Sequence, residues 1–166
     1  PKPNGSPPYN WLFAFSGDRT WEWGDMRQQY CLHNFLETQP DLKWHNFDVV
    51  EAILDTGRFG FERDVDGLWL DAVNFYWHGS ELKDNPCREE EGFPNGLHED
   101  CPLANQYLKH NFQPPKDWDI IHEICNLIGE YSGVMTLGEI TLCEDSVALA
   151  GQYTQRRDRL HLNYHV

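Results

Sequence analysis

From residue 46 onward the hydrophobic positions of this chain change period in a regular order. Asn46 has the chemistry of an N-cap, and Val49, Val50, Ile53, Leu54 and Phe61 follow at the spacing of one helical face. Gly57 and Gly60 weaken that helix by about 1 kcal/mol each relative to Ala, and it is predicted to end near Asp64. Val65 to Val73 is a mostly apolar run, the pattern of a strand buried on both faces. A second helix is predicted from a cap at Asp117, with Trp118, Ile121, Ile124, Cys125 and Ile128 on one face and Gly133 at its end. Val134 to Ile140 reads as the next strand, Ser146 to Tyr153 as a third helix, and Leu160 to Val166 as a further strand. Asn74 to Lys116 is polar and rich in proline, and a loop this long is either functional or carries short structure of its own. Residues 1–45, rich in Pro, Gly, Asn and Trp, show little periodicity and read as a loop-dominated excursion.

Helix and strand in alternation mean an α/β fold with parallel strands. Three strands are read where a (β/α)8 TIM barrel has eight, and 166 residues fall short of the roughly 250 such a barrel takes. The expectation is therefore about three strands of a barrel whose remainder is missing from this chain, with residues 46–166 as its middle. Such a sheet alone leaves apolar edges and faces uncovered. The start at Pro1, with no initiator Met or signal-like segment, agrees with an internal piece.

Two of the strand-like runs finish on a carboxylate, Asp71 in GLWLDAVN and Glu139 in VMTLGEI. Catalytic groups of a β/α barrel come from strand C-termini, and neighbouring strands lie about 4.8 Å apart. Two such acids can face one another at roughly 5 Å, the separation used by a retaining glycosidase. The bland alternative for each is a solvated or ion-paired carboxylate, and end position alone does not decide against it.

Composition narrows the partners. A net charge of −14 repels a phosphate backbone and an anionic membrane, so nucleic acid is excluded as a partner. No apolar run approaches the roughly 20 residues that span a bilayer. Cys31, Cys87, Cys101, Cys125 and Cys143 are scattered and odd in number, which favours reduced thiols and a cytoplasmic setting over a disulfide framework. Cys87, His98, Cys101 and His110 fit no standard zinc spacing, so neither a metal nor a cofactor is expected. His33, His45 and His161 belong to no constellation and read as structural. Aromatic residues make up 14% of the chain, enough to wall a sugar site, although core packing accounts for most of the tryptophans.

Four phrases, in order, resemble the oligo-1,6-glucosidase and α-glucosidase branch of the α-amylase superfamily. They are YNWLFAFSGDRTWEW (Tyr9 to Trp23), YCLHNFLETQPDL (Tyr30 to Leu42) with its QPDL signature, VDGLWLDAVNFY (Val65 to Tyr76) and TLGEI (Thr136 to Ile140). The resemblance implies Asp71 as nucleophile and Glu139 as general acid/base of a retaining reaction on short α-glucosides, with hydrolysis and transglycosylation as its two outcomes. The acid must keep its proton near neutrality while the nucleophile is ionised. It also implies that Phe15 and Phe35 wall the glucose subsite, and that residues 1–45 come from the inserted subdomain and its return to the barrel. Ala72 stands where α-1,6-preferring members carry Val, a soft sign of α-1,4 preference.

The chain departs from that pattern at several places. Trp69 stands where the family has an arginine two residues before the nucleophile, and an indole has one N–H donor and no charge. Lys43 replaces the usual Asn after QPDL, Gly60 replaces a bulky aromatic and would leave a void, Asp64 replaces Gly, and the closing YHV differs. Trp69 brings in two competing expectations. One is a non-catalytic relative like the heavy chains of amino-acid transporters, and the other an inactivated enzyme copy with Trp69, Gly57 and Gly60 as damage.

Overall fold

The computed structural model describes residues 2, 4–14, 17–88, 100–111, 114–141 and 146–165. The chain divides into two compact units, Pro1–Leu42 with His78–Gln113, and Lys43–Trp77 with Pro114–Val166.

The first unit contains a hairpin that periodicity did not reveal. Strands β1 (Trp21–Gly24) and β2 (Gln29–Leu32) pair antiparallel, with Trp21 opposite Leu32. Both strands have four residues, too short for an alternation to register. The turn between them lacks Gly or Pro, and Gln28 takes the left-handed conformation itself, at φ 52°. Tyr9, Trp11 and Trp21 pack as an aromatic cluster with centroids 5.7 to 6.1 Å apart. Amides fill much of the remaining interior. Asn85 donates to Oε1 of Gln106 and Oδ1 of Asn111, and Gln106 donates to the carbonyl of Asn10. Side-chain amides here satisfy backbone that has no ladder of its own.

The second unit carries the β/α alternation. Helix α1 (Phe47–Phe61) starts as expected, with Oδ1 of Asn46 accepting from the amide of Asp48. It closes in a Schellman arrangement: Val65 N–H reaches the Gly60 carbonyl, Asp64 N–H reaches that of Phe61, and Asp64 sits at φ 63°. Gly57 faces the neighbouring helix closely, and a Cβ there would stand 3.0 Å from Cδ2 of Leu127. That helix, α2, spans Pro114–Gly129 and so begins before Asp117, which is not its cap. Prolines suit a first turn because the N–H they lack has no partner there anyway. Gly133 lies beyond the helix at φ 80°, in the turn leading to the next strand. Helix α3 is Ser146–Thr154.

Strands β3 (Gly67–Leu70), β4 (Met135–Ile140) and β5 (Leu162–His165) form a parallel sheet in that order. One face packs through Leu70 and Ile140 on Ile121, Ile124 and Ile128 of α2. The opposite face is uncovered, with Trp69 65% and Leu162 52% exposed. The expectation that the first strand is buried on both faces therefore fails: β3 is shorter than its apolar run and covered on one side only.

Candidate active site

The register of the sheet decides what its upper rim presents. Trp69 pairs with Leu137 and Leu70 with Gly138, so the next residues outward, Asp71 and Glu139, come abreast. On the other side Glu139 pairs with Tyr164. Asp71 is exposed and Glu139 half-buried, so both carboxyl groups can be reached by a solute. Trp69, Leu137 and Leu162 form the row beneath on the same face.

Backbone and core hold this rim in place. Asn74, fully buried in the 3-10 turn Val73–Phe75, donates to the carbonyl of Thr141 at 2.8 Å and accepts from its amide at 3.2 Å. That reciprocal pair ties the turn after Asp71 to the chain after Glu139. Gly138 is required by a close approach, since a Cβ would fall 2.4 Å from Cδ1 of Leu160. His161 accepts from the amide of Thr136 through Nδ1, the structural role expected of it. Ala72 is buried and left-handed, at φ 42° and ψ 48°, a conformation that costs a non-glycine residue about 1–2 kcal/mol.

Tyr164 had no signal in the sequence reading. Its hydroxyl donates to Oε2 of Glu139 at 2.6 Å. That bond pushes the phenol's ionisation upward from its usual value; burial and the charges of Glu139 and Asp71 add to the shift, and a hydrogen bond from the Trp69 indole opposes it. Glu139 and Tyr164 are thus joined both by strand register and by a side-chain bond.

Phe15 and Phe35 are the aromatic residues expected to wall the sugar. Phe15 lies outside the described residues, and Phe35 is half-buried in the first unit. The QPDL phrase has a clear structural task in that unit. Oδ2 of Asp41 accepts from the amide and the side chain of Asn34, and Nδ1 of His33 pairs with the Phe35 carbonyl at 3.0 Å. Burial pushes the Asp41 carboxyl up to about 6, against the pull of the Asn34 bonds and nearby His33. Cys31, Cys87, Cys101 and Cys125 are free thiols, and His98 and Cys143 fall outside the described residues. No described helix is long and apolar enough to cross a membrane.

Comparison with known proteins adds a family pattern to this geometry. A family described as "Alpha amylase, catalytic domain" matches residues 1–166. The chain is 38% identical over 167 residues to a probable alpha-glucosidase of Rhizobium meliloti, covering 98% of this chain and 30% of that protein. It is 31% identical over 140 residues to the oligo-1,6-glucosidase of Bacillus cereus, covering 84% of this chain and 23% of the relative. Among solved structures, the alpha-glucosyl transfer enzyme XgtA superposes with a TM-score of 0.86 at 42% identity, over 99% of this chain and 30% of that one. The chain thus spans about 30% of the length of the first of these relatives.

Proposed function

The chain belongs to the alpha-amylase catalytic-domain family of glycoside hydrolases, and from that premise we propose that it carries the reacting pair of a retaining α-glucosidase acting on short α-glucosides. The observation that carries this reading is the register that brings Asp71 and Glu139 abreast on adjoining parallel strands. Strands about 4.8 Å apart allow a carboxyl separation near the roughly 5 Å of a double displacement. Asp71 attacks the anomeric carbon while the glycosidic bond breaks and Glu139 gives its proton to the departing oxygen. Glu139 then takes a proton from water, whose oxygen displaces Asp71 from the sugar. A sugar hydroxyl in place of that water gives transglycosylation. The small side chain at Ala72 supports α-1,4 over α-1,6 linkages. The uncovered sheet face bearing Trp69 and Leu162 supports membership of a (β/α)8 barrel, in which further strands cover it.

The test is a graft that replaces the matching segment of XgtA with this chain, supplied with maltose and followed by NMR. First-formed glucose in the α configuration supports the reading, and β-glucose refutes retention. Trp69 favours a second reading, the silenced relative, because it sets an uncharged indole beside the pair where a guanidinium would favour an ionised Asp71. Replacing it by arginine (Trp69→Arg) in the graft is expected to raise hydrolysis by several orders of magnitude. Equal rates would show that the indole is compatible with turnover.

A further inference from the structure

Tyr164 lies on the strand beside Glu139, in register with it, and gives its hydroxyl proton to Oε2 at 2.6 Å. We propose that Tyr164 is the positioning residue of Glu139, fixing the acid/base carboxyl on the rim and selecting which of its oxygens exchanges a proton with substrate. This rests on the glycosidase reading above.

The bond is as short as a hydroxyl donating to a charged carboxylate oxygen, the stronger class of hydrogen bond. The strand pairing supports the bond from the backbone side, because Glu139 and Tyr164 are register partners on β4 and β5. With Oε2 engaged by Tyr164, Oε1 carries the transferred proton. That proton passes to the leaving oxygen as the glycosidic bond breaks and is replaced from water in the second step, while the Tyr164 proton stays on its own oxygen. The sequence could not show this, since Glu139 and Tyr164 meet only through the pairing of β4 with β5.

The experiment compares the XgtA graft with its Tyr164→Phe variant on two substrates, α-glucosyl fluoride and maltose. Fluoride departs with little need of a proton, whereas a sugar alcohol depends on one. Because kcat/KM reports the glycosylation step, it is expected to fall about 10- to 100-fold on maltose, part of what general acid catalysis supplies. On the fluoride it is expected to change less than about threefold, which also shows that the variant is folded. The alkaline limb of the maltose profile moves to higher pH, because the charged carboxylate loses a donor. If Tyr164→Phe does not fold, a ring-fluorinated tyrosine at position 164 serves instead: its more acidic hydroxyl is a stronger donor to Oε2 of Glu139 and moves that limb to lower pH, and a fixed limb there overturns the proposal equally. Unchanged maltose turnover, equal losses on both substrates, or a fixed limb overturns the role of Tyr164. No turnover of the fluoride by the unsubstituted graft would instead overturn the glycosidase reading beneath it.

Discussion

The tie between Asn74 and Thr141 gives the most demanding test of how this rim is held. Replacing Asn74 by alanine removes both hydrogen bonds and leaves the Thr141 amide and carbonyl without their partner in a nearly dry place, Asn74 being 0% and Thr141 7% exposed. A buried donor or acceptor deprived of its partner costs about 1–3 kcal/mol, so the two orphans together cost about 2–6 kcal/mol. Removing the Asn amide also removes its own desolvation cost, but that gain cannot recover the backbone groups, which stay. Asn74→Asp keeps an acceptor for the Thr141 amide and sets a carboxylate against its carbonyl, so it is expected to be no better than alanine. The assay is urea unfolding of the graft, read as a lowered midpoint at unchanged slope, together with steady-state kinetics. Because the tie closes the two chain segments that follow Asp71 and Glu139, kcat should fall more than KM rises. A loss below about 0.5 kcal/mol with unchanged kcat would refute the argument, since surface substitutions alone give that much.

Two further expectations follow from the same structure. The Asp41 carboxyl, raised from 3.8 to about 6 in the fold, binds its proton more tightly folded than unfolded. Its contribution is thus fully present below pH 3.8 and is lost as pH rises through about 6, a change of about 3 kcal/mol for a shift of this size. Unfolding midpoints between pH 4 and 7 should show this slope in the parent and lose it in Asp41→Asn, and parallel profiles would contradict it. Ala72→Val places a β-branched residue at φ 42° and is expected to destabilise by about 1–2 kcal/mol, whereas Ala72→Gly should stay within about 1 kcal/mol of the parent. Valine tolerated as well as glycine, by thermal unfolding, would show that the strain at Ala72 is not real.

What could be read in advance, and what could not, divides along physical lines. Helix α1 was visible because its signals are local: the Asn46 cap, the apolar spacing after it, and an Asp64 suited to a left-handed turn. The ends of β4 and α3 followed from the same kind of signal. The start of α2 was missed because Pro114 and Pro115 look like loop, although the first turn of a helix tolerates them. The hairpin β1–β2 was missed because the first unit draws much of its interior order from amide contacts such as Asn85 with Asn111, which leave no trace in hydrophobic period. The close approach of Gly57 to Leu127 was hidden for a related reason, since the two residues lie far apart along the chain.

The candidate site shows the same division at closer range. Asp71 and Glu139 stand out in one dimension because each ends an apolar run, and the resemblance to a family singles them out further. Their being abreast is a different kind of fact, set by the pairing of Leu70 with Gly138. Tyr164 needs one more pairing, that of β4 with β5, and no local signal marks it. A one-residue slip of β5 would turn Tyr164 to the helix-covered face and remove its hydroxyl from Glu139. Leu160 works against such a slip, since it fills the space that Gly138 leaves open next to Glu139. The small residue in TLGEI therefore bears on the chemistry through packing: it admits Leu160, which keeps β5 in the register where the phenol meets the acid.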